Sequence, residues 1–541
     1  MSEYNQPILV LSDDVLRQTG KDAQRANISA AISVSEIVRS TLGPKGMDKM
    51  LVDSTGDITI TNDGVTILEE MEIQHPAAKM IREVAKTQEQ EVGDGTTTAV
   101  VLTGQLLKKA GDLLDQGIHR TTIVKGYRLA MGKTIESLGT IGKTISLSDP
   151  ENLKKVALTA MTGKGIENSK NELSDIAVEA IKCVAYTENG KIVINPEDIQ
   201  IEKKQGGSVK DTELIKGIVI DKEIVHSAMP KITKDAKIVL INAALEVKST
   251  ETDAKISITD PEKMQAFADQ ESKMLKNIAE KIKDSGAKIV FCQKGIDDMV
   301  QYYLAKYGIV AVRRVKESDM EKLSKATGAR IISSVDEISP EDFGMAGIVE
   351  EKKIGEDKMV FVRECKEPKA VSILIRGGTE HVVDEAKRAM DDAVLGIAST
   401  LELSSYVYGG GAVEIEIAKK LRDYAVTVGG KEQLAINAFA EALEIIPRTL
   451  AESAGKDAIE LLVEAKSKHE SGNTGYGINV FEGKIDDMDK LGVVEPTKIK
   501  VQAISSATDV SEMILRIDDI ITAGKSSMPP MPSGGMGGMG Y

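Results

Sequence analysis

Two helical stretches, one towards each end of the chain, enclose a middle of short β-rich runs, and this order constrains the fold more than any other feature. From Gly20 to about Leu147 apolar residues recur at helical spacing. Ile28, Ile32, Val34, Ile37 and Val38 form one stripe, which Gly43-Pro44 stops. Residues 57–61 read as a strand turning at Asn62-Asp63-Gly64, and residues 153–161 as a helix after the turn Ser148-Asp149-Pro150. Between about Gly217 and Pro368 the β-rich runs 237–241, 288–292, 309–312, 330–333 and 359–362 alternate with helices and glycine turns, as in an α/β domain. One more such run, 371–375, follows before the helical pattern returns at 382–395 and 435–451. The middle therefore reads as an insertion between two segments of like texture.

A chain of 541 residues exceeds one hydrophobic core, so about two to four domains are expected. Aromatics are only 3% with no Trp, so Ala, Val, Ile, Leu and Met must fill the cores. A net charge of −15 and the lack of a dense Lys/Arg block (Arg313-Arg314 with Lys316 comes nearest) argue against nucleic acid as the main ligand. Cys183, Cys292 and Cys365 lie far apart, which suggests neither disulfides nor a zinc site. No apolar run approaches the ~18 residues of a membrane span, and residues 1–16 lack a basic n-region, so a cytoplasmic protein is expected. The Pro-, Gly- and Met-rich residues 528–541 read as a disordered tail.

The chemistry concentrates in Val92-Gly93-Asp94-Gly95-Thr96-Thr97-Thr98, directly before a helical run with Val100, Val101, Leu106, Leu107, Leu113 and Leu114. A helix start offers unpaired N–H groups and a positive dipole end to phosphate oxygens, and Asp94 could hold a divalent cation against them. An ordinary N-cap explains a bare Asp-Gly-Thr equally well. Its company strengthens the phosphate reading: Leu42-Gly43-Pro44-Lys45-Gly46, Asn62-Asp63-Gly64, Thr162-Gly163-Lys164-Gly165, Asp391-Asp392 and Gly409-Gly410-Gly411. Each alone has a plain explanation as a turn, a helix end, a solvated helix face or a flexible loop. Together they supply what phosphoryl transfer needs: a metal-binding acid, water-orienting acids, a cation and amide-rich loops. No P-loop, dinucleotide fingerprint, zinc motif or nucleophile elbow occurs, and the five scattered histidines read as surface or packing residues.

Over nearly its whole length the sequence resembles the group II chaperonins of the archaeal thermosome type. The resemblance rests on residues 39–50, on Thr61-Asn62-Asp63-Gly64-Val65-Thr66-Ile67-Leu68, and on the 92–98 motif. Further matches are Met161-Thr162-Gly163-Lys164-Gly165, Gln293-Lys294-Gly295-Ile296-Asp297-Asp298, Ile375-Arg376-Gly377-Gly378-Thr379 and Gly409-Gly410-Gly411-Ala412. The resemblance implies a multidomain α and α/β subunit: a helical equatorial domain from 1–147 and 405–541, an intermediate domain from 148–217 and 370–404, and an α/β apical domain, 218–369. A helical lid protrusion is expected at about 246–275. The helix opened by Asp260-Pro261 would carry Met264, Phe267, Met274, Leu275 and Ile278 on one face, with its first turns projecting.

The resemblance also implies an ATP-dependent chaperone that encloses unfolded clients in two stacked rings of eight subunits, of one or several kinds, with ATP and Mg2+ as cofactors. Asp94 would bind magnesium, and Gly95, Thr96, Thr97 and Thr98 would cradle phosphates beside a second loop of Leu42, Gly43 and Pro44. Asp63 and Asp392 would orient the attacking water, and Lys164, next to Gly163, would sense the γ-phosphate. Gly410, Gly411, Asn479 and Glu495 would lie near the base and ribose. Two further classes stand beside this reading: a metal-dependent ATPase or kinase for a small molecule, and a ring-forming scaffold without turnover. The joint presence of Asp63, Asp94 and Asp392 speaks against the scaffold.

Overall fold

A computed structural model describes residues 16–188, 191–247 and 261–522. The tail 528–541 and the residues 248–260 of the expected lid lie outside the described residues.

Both ends of the chain share the first core. Helices Gly20–Arg39, Pro76–Val92, Thr96–Asp115 and Arg120–Ile141 pack with Ala412–Val428, Glu432–Leu443 and Thr497–Arg516. Strand Leu16–Thr19 pairs antiparallel with Asp519–Thr522 and ties the two ends together. Small side chains let these helices approach closely, and rings fill the remaining space. Tyr127 meets Phe439 edge to face, 5.5 Å between centroids, and donates its hydroxyl to the Leu106 carbonyl at 2.8 Å. Phe439→Ala should therefore cost about 3–5 kcal/mol, against about 1 kcal/mol for Tyr127→Phe. Urea midpoints would show the difference, and equally small shifts would mean that the ring pair carries no packing energy.

The second core is the α/β layer. Its sheet runs in the order Val310–Val312, Ile289–Cys292, Ile232–Ile241, Gly344–Ile354, Asp357–Arg363, Ile218–Ile220, with Ile331–Ile332 also beside Ile232–Ile241. The strands of the βα units are parallel and the last three pairings antiparallel. In the third core, helices Pro150–Met161, Lys170–Val184 and Glu380–Leu403 pack on a sheet of Ile199–Gln205, Val371–Gly377 and Glu213–Ile215. The run at 371–375 thus joins this third layer. At 1.5 Å per residue helix Glu380–Leu403 is about 36 Å long; its residues as far as Leu401 belong to the third core, and it also touches helices Pro76–Val92 and Thr497–Arg516 of the first.

Two local expectations change. Asn62-Asp63-Gly64 is no hairpin turn, because none of the three has the positive φ that such a turn requires. The hairpin joins Lys49–Val52 to Ile58–Thr61, and its turn is held by Asp53 Oδ1, which accepts from the Thr55 and Asp57 amides at 2.9 and 2.8 Å. Asp63 instead caps helix Gly64–Glu70 by accepting from the Thr66 amide. In the stripe of the first helix, Ile37 is exposed while Ile28, Val34 and Val38 are buried.

Helix Pro261–Asp284 is unevenly covered. Phe267 and Met274 are 52% and 49% exposed, whereas Leu275 and Ala279 are buried in the second core. The apolar face read from the sequence thus divides: Leu275 and Ile278 pack, while Phe267 and Met274 stand in solvent. Among the described residues no helix is long and apolar enough to cross a membrane.

Candidate functional site

One cavity of about 960 Å³ opens between the first and third cores, a size that suits a nucleotide-sized ligand. Its floor is the start of helix Thr96–Asp115. The N-cap is Gly95, which has no side chain to satisfy the first amides, so Thr96, Thr97 and Thr98 bring donors to the cavity wall. Gly95 has φ +79°, and a Cβ there would lie 2.7 Å from Ile499 Cγ2. Only glycine permits this approach. Asp94 Oδ1 accepts from the Gly95 amide at 2.6 Å. Buried Gln88 clamps the loop from below, its Nε2 donating to the carbonyls of Asp94 at 2.8 Å and Ile499 at 3.3 Å.

Two more loops close over this floor. Leu42, Gly43 and Pro44 follow helix Gly20–Arg39, and Thr162–Lys164 follow helix Pro150–Met161. They touch: a Cβ on Gly163, which has φ +89°, would lie 2.6 Å from Pro44 Cα. Side chains larger than hydrogen would separate the first core from the third at this point.

The acids converge from separate elements. Asp63 Oδ2 accepts from the Thr66 amide and hydroxyl at 2.9 and 2.7 Å. Asp391 and Asp392 come from helix Glu380–Leu403, where Asp391 pairs with Lys387 at 2.9 Å and Asp392 with Lys164 Nζ. Burial pulls the Lys164 ammonium below its ordinary range, opposed by the charges of Asp94, Glu385, Asp63 and Glu89. Glu89 is a further acid here: burial, then the charges of Asp63 and Asp94, push it up to about 7. The folded protein therefore binds the Glu89 proton more tightly than the unfolded chain does. The stability this gives is complete below the usual carboxylate range and is lost as pH rises through about 7. Glu89→Gln should accordingly stabilise the protein at pH 8 by roughly 1–2 kcal/mol and leave it unchanged near pH 4.5. Denaturant midpoints at the two pH values test this, and equal shifts at both would show that Glu89 is not held protonated.

The far wall comes from the C-terminal segment. Gly410 and Gly411 precede helix Ala412–Val428, and the Gly410 carbonyl accepts from the Ile478 amide at 2.8 Å. The three glycines are thus a packed helix start rather than a flexible loop. Asn479 is largely used internally, its Oδ1 accepting from the Phe481 and Glu482 amides and its Nδ2 donating to Asp486. Glu495 stands on strand Val494–Pro496 and lines the cavity.

Every residue to which the resemblance gave a site role lines this one cavity: Leu42, Gly43, Pro44, Asp63, Asp94, Gly95, Thr96, Thr97, Thr98, Gly163, Lys164, Asp392, Gly410, Gly411, Asn479 and Glu495. Sequence reading missed Gln88, Glu89, Glu385, Arg388, Glu414 and Lys500. Glu385, Arg388 and Asp392 sit at helical spacing on one face, a signal that was present in the chain. Gln88 and Lys500 act through tertiary contacts that no local pattern announces.

A profile of the TCP-1/cpn60 chaperonin family matches residues 34–525. The chain belongs to this chaperonin family. Its relatives include the thermosome subunit of Methanopyrus kandleri, 60% identical over 516 residues and 95% of each chain. Thermosome subunit beta of Archaeoglobus fulgidus is 59% identical over 97% of this chain and 98% of its own. Among solved structures, an open-state monomer of a group II chaperonin from Methanococcoides burtonii matches with a TM-score of 0.61 and 47% identity, covering 79% of this chain and all of its own. These matches place the chaperonin in the group II branch, as an ATP-dependent chaperone that forms double-ring chambers for protein folding.

Proposed function

We propose that the cavity is the ATPase centre of this chaperonin and that hydrolysis of Mg-bound ATP there drives closure of a folding chamber. The observation that carries the reading is the convergence of the phosphate loops, the acids and Lys164 on one cavity. The donor set fits the ligand. Among the described residues no three acids, histidines or cysteines gather closely enough to hold a metal by themselves. A magnesium ion bound through Asp94 would need phosphate oxygens and water for its remaining positions, its usual manner with nucleotides. Bound there, it would neutralise charge on the transferring phosphoryl group.

The residue roles are those that the resemblance implies, and the shared cavity supports them. Amides and hydroxyls of Thr96, Thr97 and Thr98, with the Leu42–Pro44 loop, hold phosphates. Asp63 and Asp392 accept hydrogen bonds from the attacking water and orient it. Lys164 is paired with Asp392, and a γ-phosphate would compete for the same ammonium, so its arrival and departure change the tie between the Gly163 loop and helix Glu380–Leu403. Gly410, Gly411, Asn479 and Glu495 border the base and ribose.

In this reading the first core is the equatorial domain (1–147 and 405–541), the third the intermediate domain (148–217 and 370–404), and the second the apical domain (218–369). Two stacked rings of eight copies, or of this chain with close relatives, would enclose unfolded clients in the cytoplasm. The exposed Phe267 and Met274 would belong to the lid or touch clients.

Asp94→Ala should weaken Mg-ATP binding itself, whereas Lys164→Ala should alter coupling more than affinity. Protease protection of the apical segment, with and without a hydrolysis transition-state mimic, reads the coupling. Unchanged protection together with lost nucleotide binding in the Lys164 variant would make that lysine a simple phosphate clamp.

A further inference from the structure

At the far wall of the cavity Glu495 belongs to a buried charge cluster whose other two members, Lys500 and Glu414, have no part in the roles above. Lys500, in the first turn of helix Thr497–Arg516, is only 4% exposed, and its Nζ lies 2.5 Å from Glu495 Oε2 and 2.8 Å from Glu414 Oε1. Glu414, in the first turn of helix Ala412–Val428, is 2% exposed, and its second oxygen has no hydrogen-bond partner among the described residues. Glu495 is the outermost of the three, at 27% exposure, and borders the cavity.

A lysine removed from water this completely is costly unless fully paired. With both carboxylates ionised the cluster would be net negative, and the carboxylate nearest the cavity is that of Glu495. Burial and the charge of Glu414 favour a protonated Glu495, and Lys500 opposes them. The neighbouring Ile499 is also tied through Gln88 to the carbonyl of Asp94, so the first turn of this helix joins the far wall to the phosphate floor.

We propose that Lys500 is a positioning residue for nucleotide binding: braced by Glu414, it holds Glu495 ionised and in place as an acceptor for the ribose hydroxyls. This rests on the reading of the cavity as an ATP site. An ionised carboxylate accepts from a hydroxyl strongly, and a buried acceptor left without its donor is penalised. The protein should therefore bind ATP about tenfold or more tightly than 2′-deoxyATP.

The test is calorimetric titration of the assembled protein with Mg-ATP and Mg-2′-deoxyATP. In Lys500→Met the preference should fall towards parity, mainly by weaker ATP binding. Lys500→Arg should restore part of it, and Lys500→Met combined with Glu495→Gln should be no worse than Glu495→Gln alone. Should Lys500→Met fold poorly, the double variant Glu414→Gln with Lys500→Met leaves one fewer unpaired charge and is expected to lose the preference likewise. A preference retained in these variants would make Lys500 purely structural. An equal loss for both nucleotides would make it a phosphate contact. Either result overturns the proposal while leaving the ATP site intact, whereas wild-type protein that binds neither nucleotide overturns the ATP reading itself.

Discussion

Asp392→Ala is expected to slow ATP turnover by about 10²–10⁴-fold while leaving nucleotide affinity within a few-fold of wild type. A group that orients water acts mainly in the transition state, so its loss falls on turnover rather than binding. The structure adds a second consequence. Asp392 is the ion-pair partner of Lys164, so the variant frees that ammonium for the phosphates, and affinity should hold or rise slightly. Rapid-quench turnover and equilibrium binding separate the two effects. Near-normal turnover would remove Asp392 from the chemistry, and collapsed affinity would make it part of the binding wall.

Deleting residues 250–272 and closing the gap with a short Gly-Ser linker should leave an assembled, ATP-hydrolysing particle that no longer returns a confined client in native form. The exposure of helix Pro261–Asp284 sets the cut. Phe267 is half exposed, while Leu275, Ala279 and Ile282 pack against the sheet and must stay. The boundary implied by the resemblance, about 246–275, would reach too far, because Val247 packs against the second core and Leu275 belongs to it. Client recovery should fall to the level of spontaneous refolding with ATPase activity retained. A deletion that unfolds the subunit would show the segment to be core.

Much of this site was legible in the chain because its chemistry sits in short contiguous runs. Val92–Thr98 reads as a helix start with an acid beside it, and the structure has that helix begin at Thr96. The strands of the α/β layer were visible where both faces are buried, as at Ile289–Cys292, whereas Gly344–Ile354, buried only at Gly344, Ala346 and Val349 and rich in charge, was not. Asn62-Asp63-Gly64 misled because a hairpin turn and a helix N-cap favour the same residue types, and only backbone dihedrals separate them. Glu89 was invisible for another reason. Its perturbation comes from burial and from Asp63 and Asp94, charges that only the folded chain brings near.

The most direct test of an ATP-driven folding chamber is recovery of a chemically denatured client by the assembled wild-type chain, in Mg2+ with ATP or with ADP. Native client should return with ATP and remain bound or inactive with ADP. Equal recovery in the two nucleotides, or none with ATP despite client binding, would contradict it.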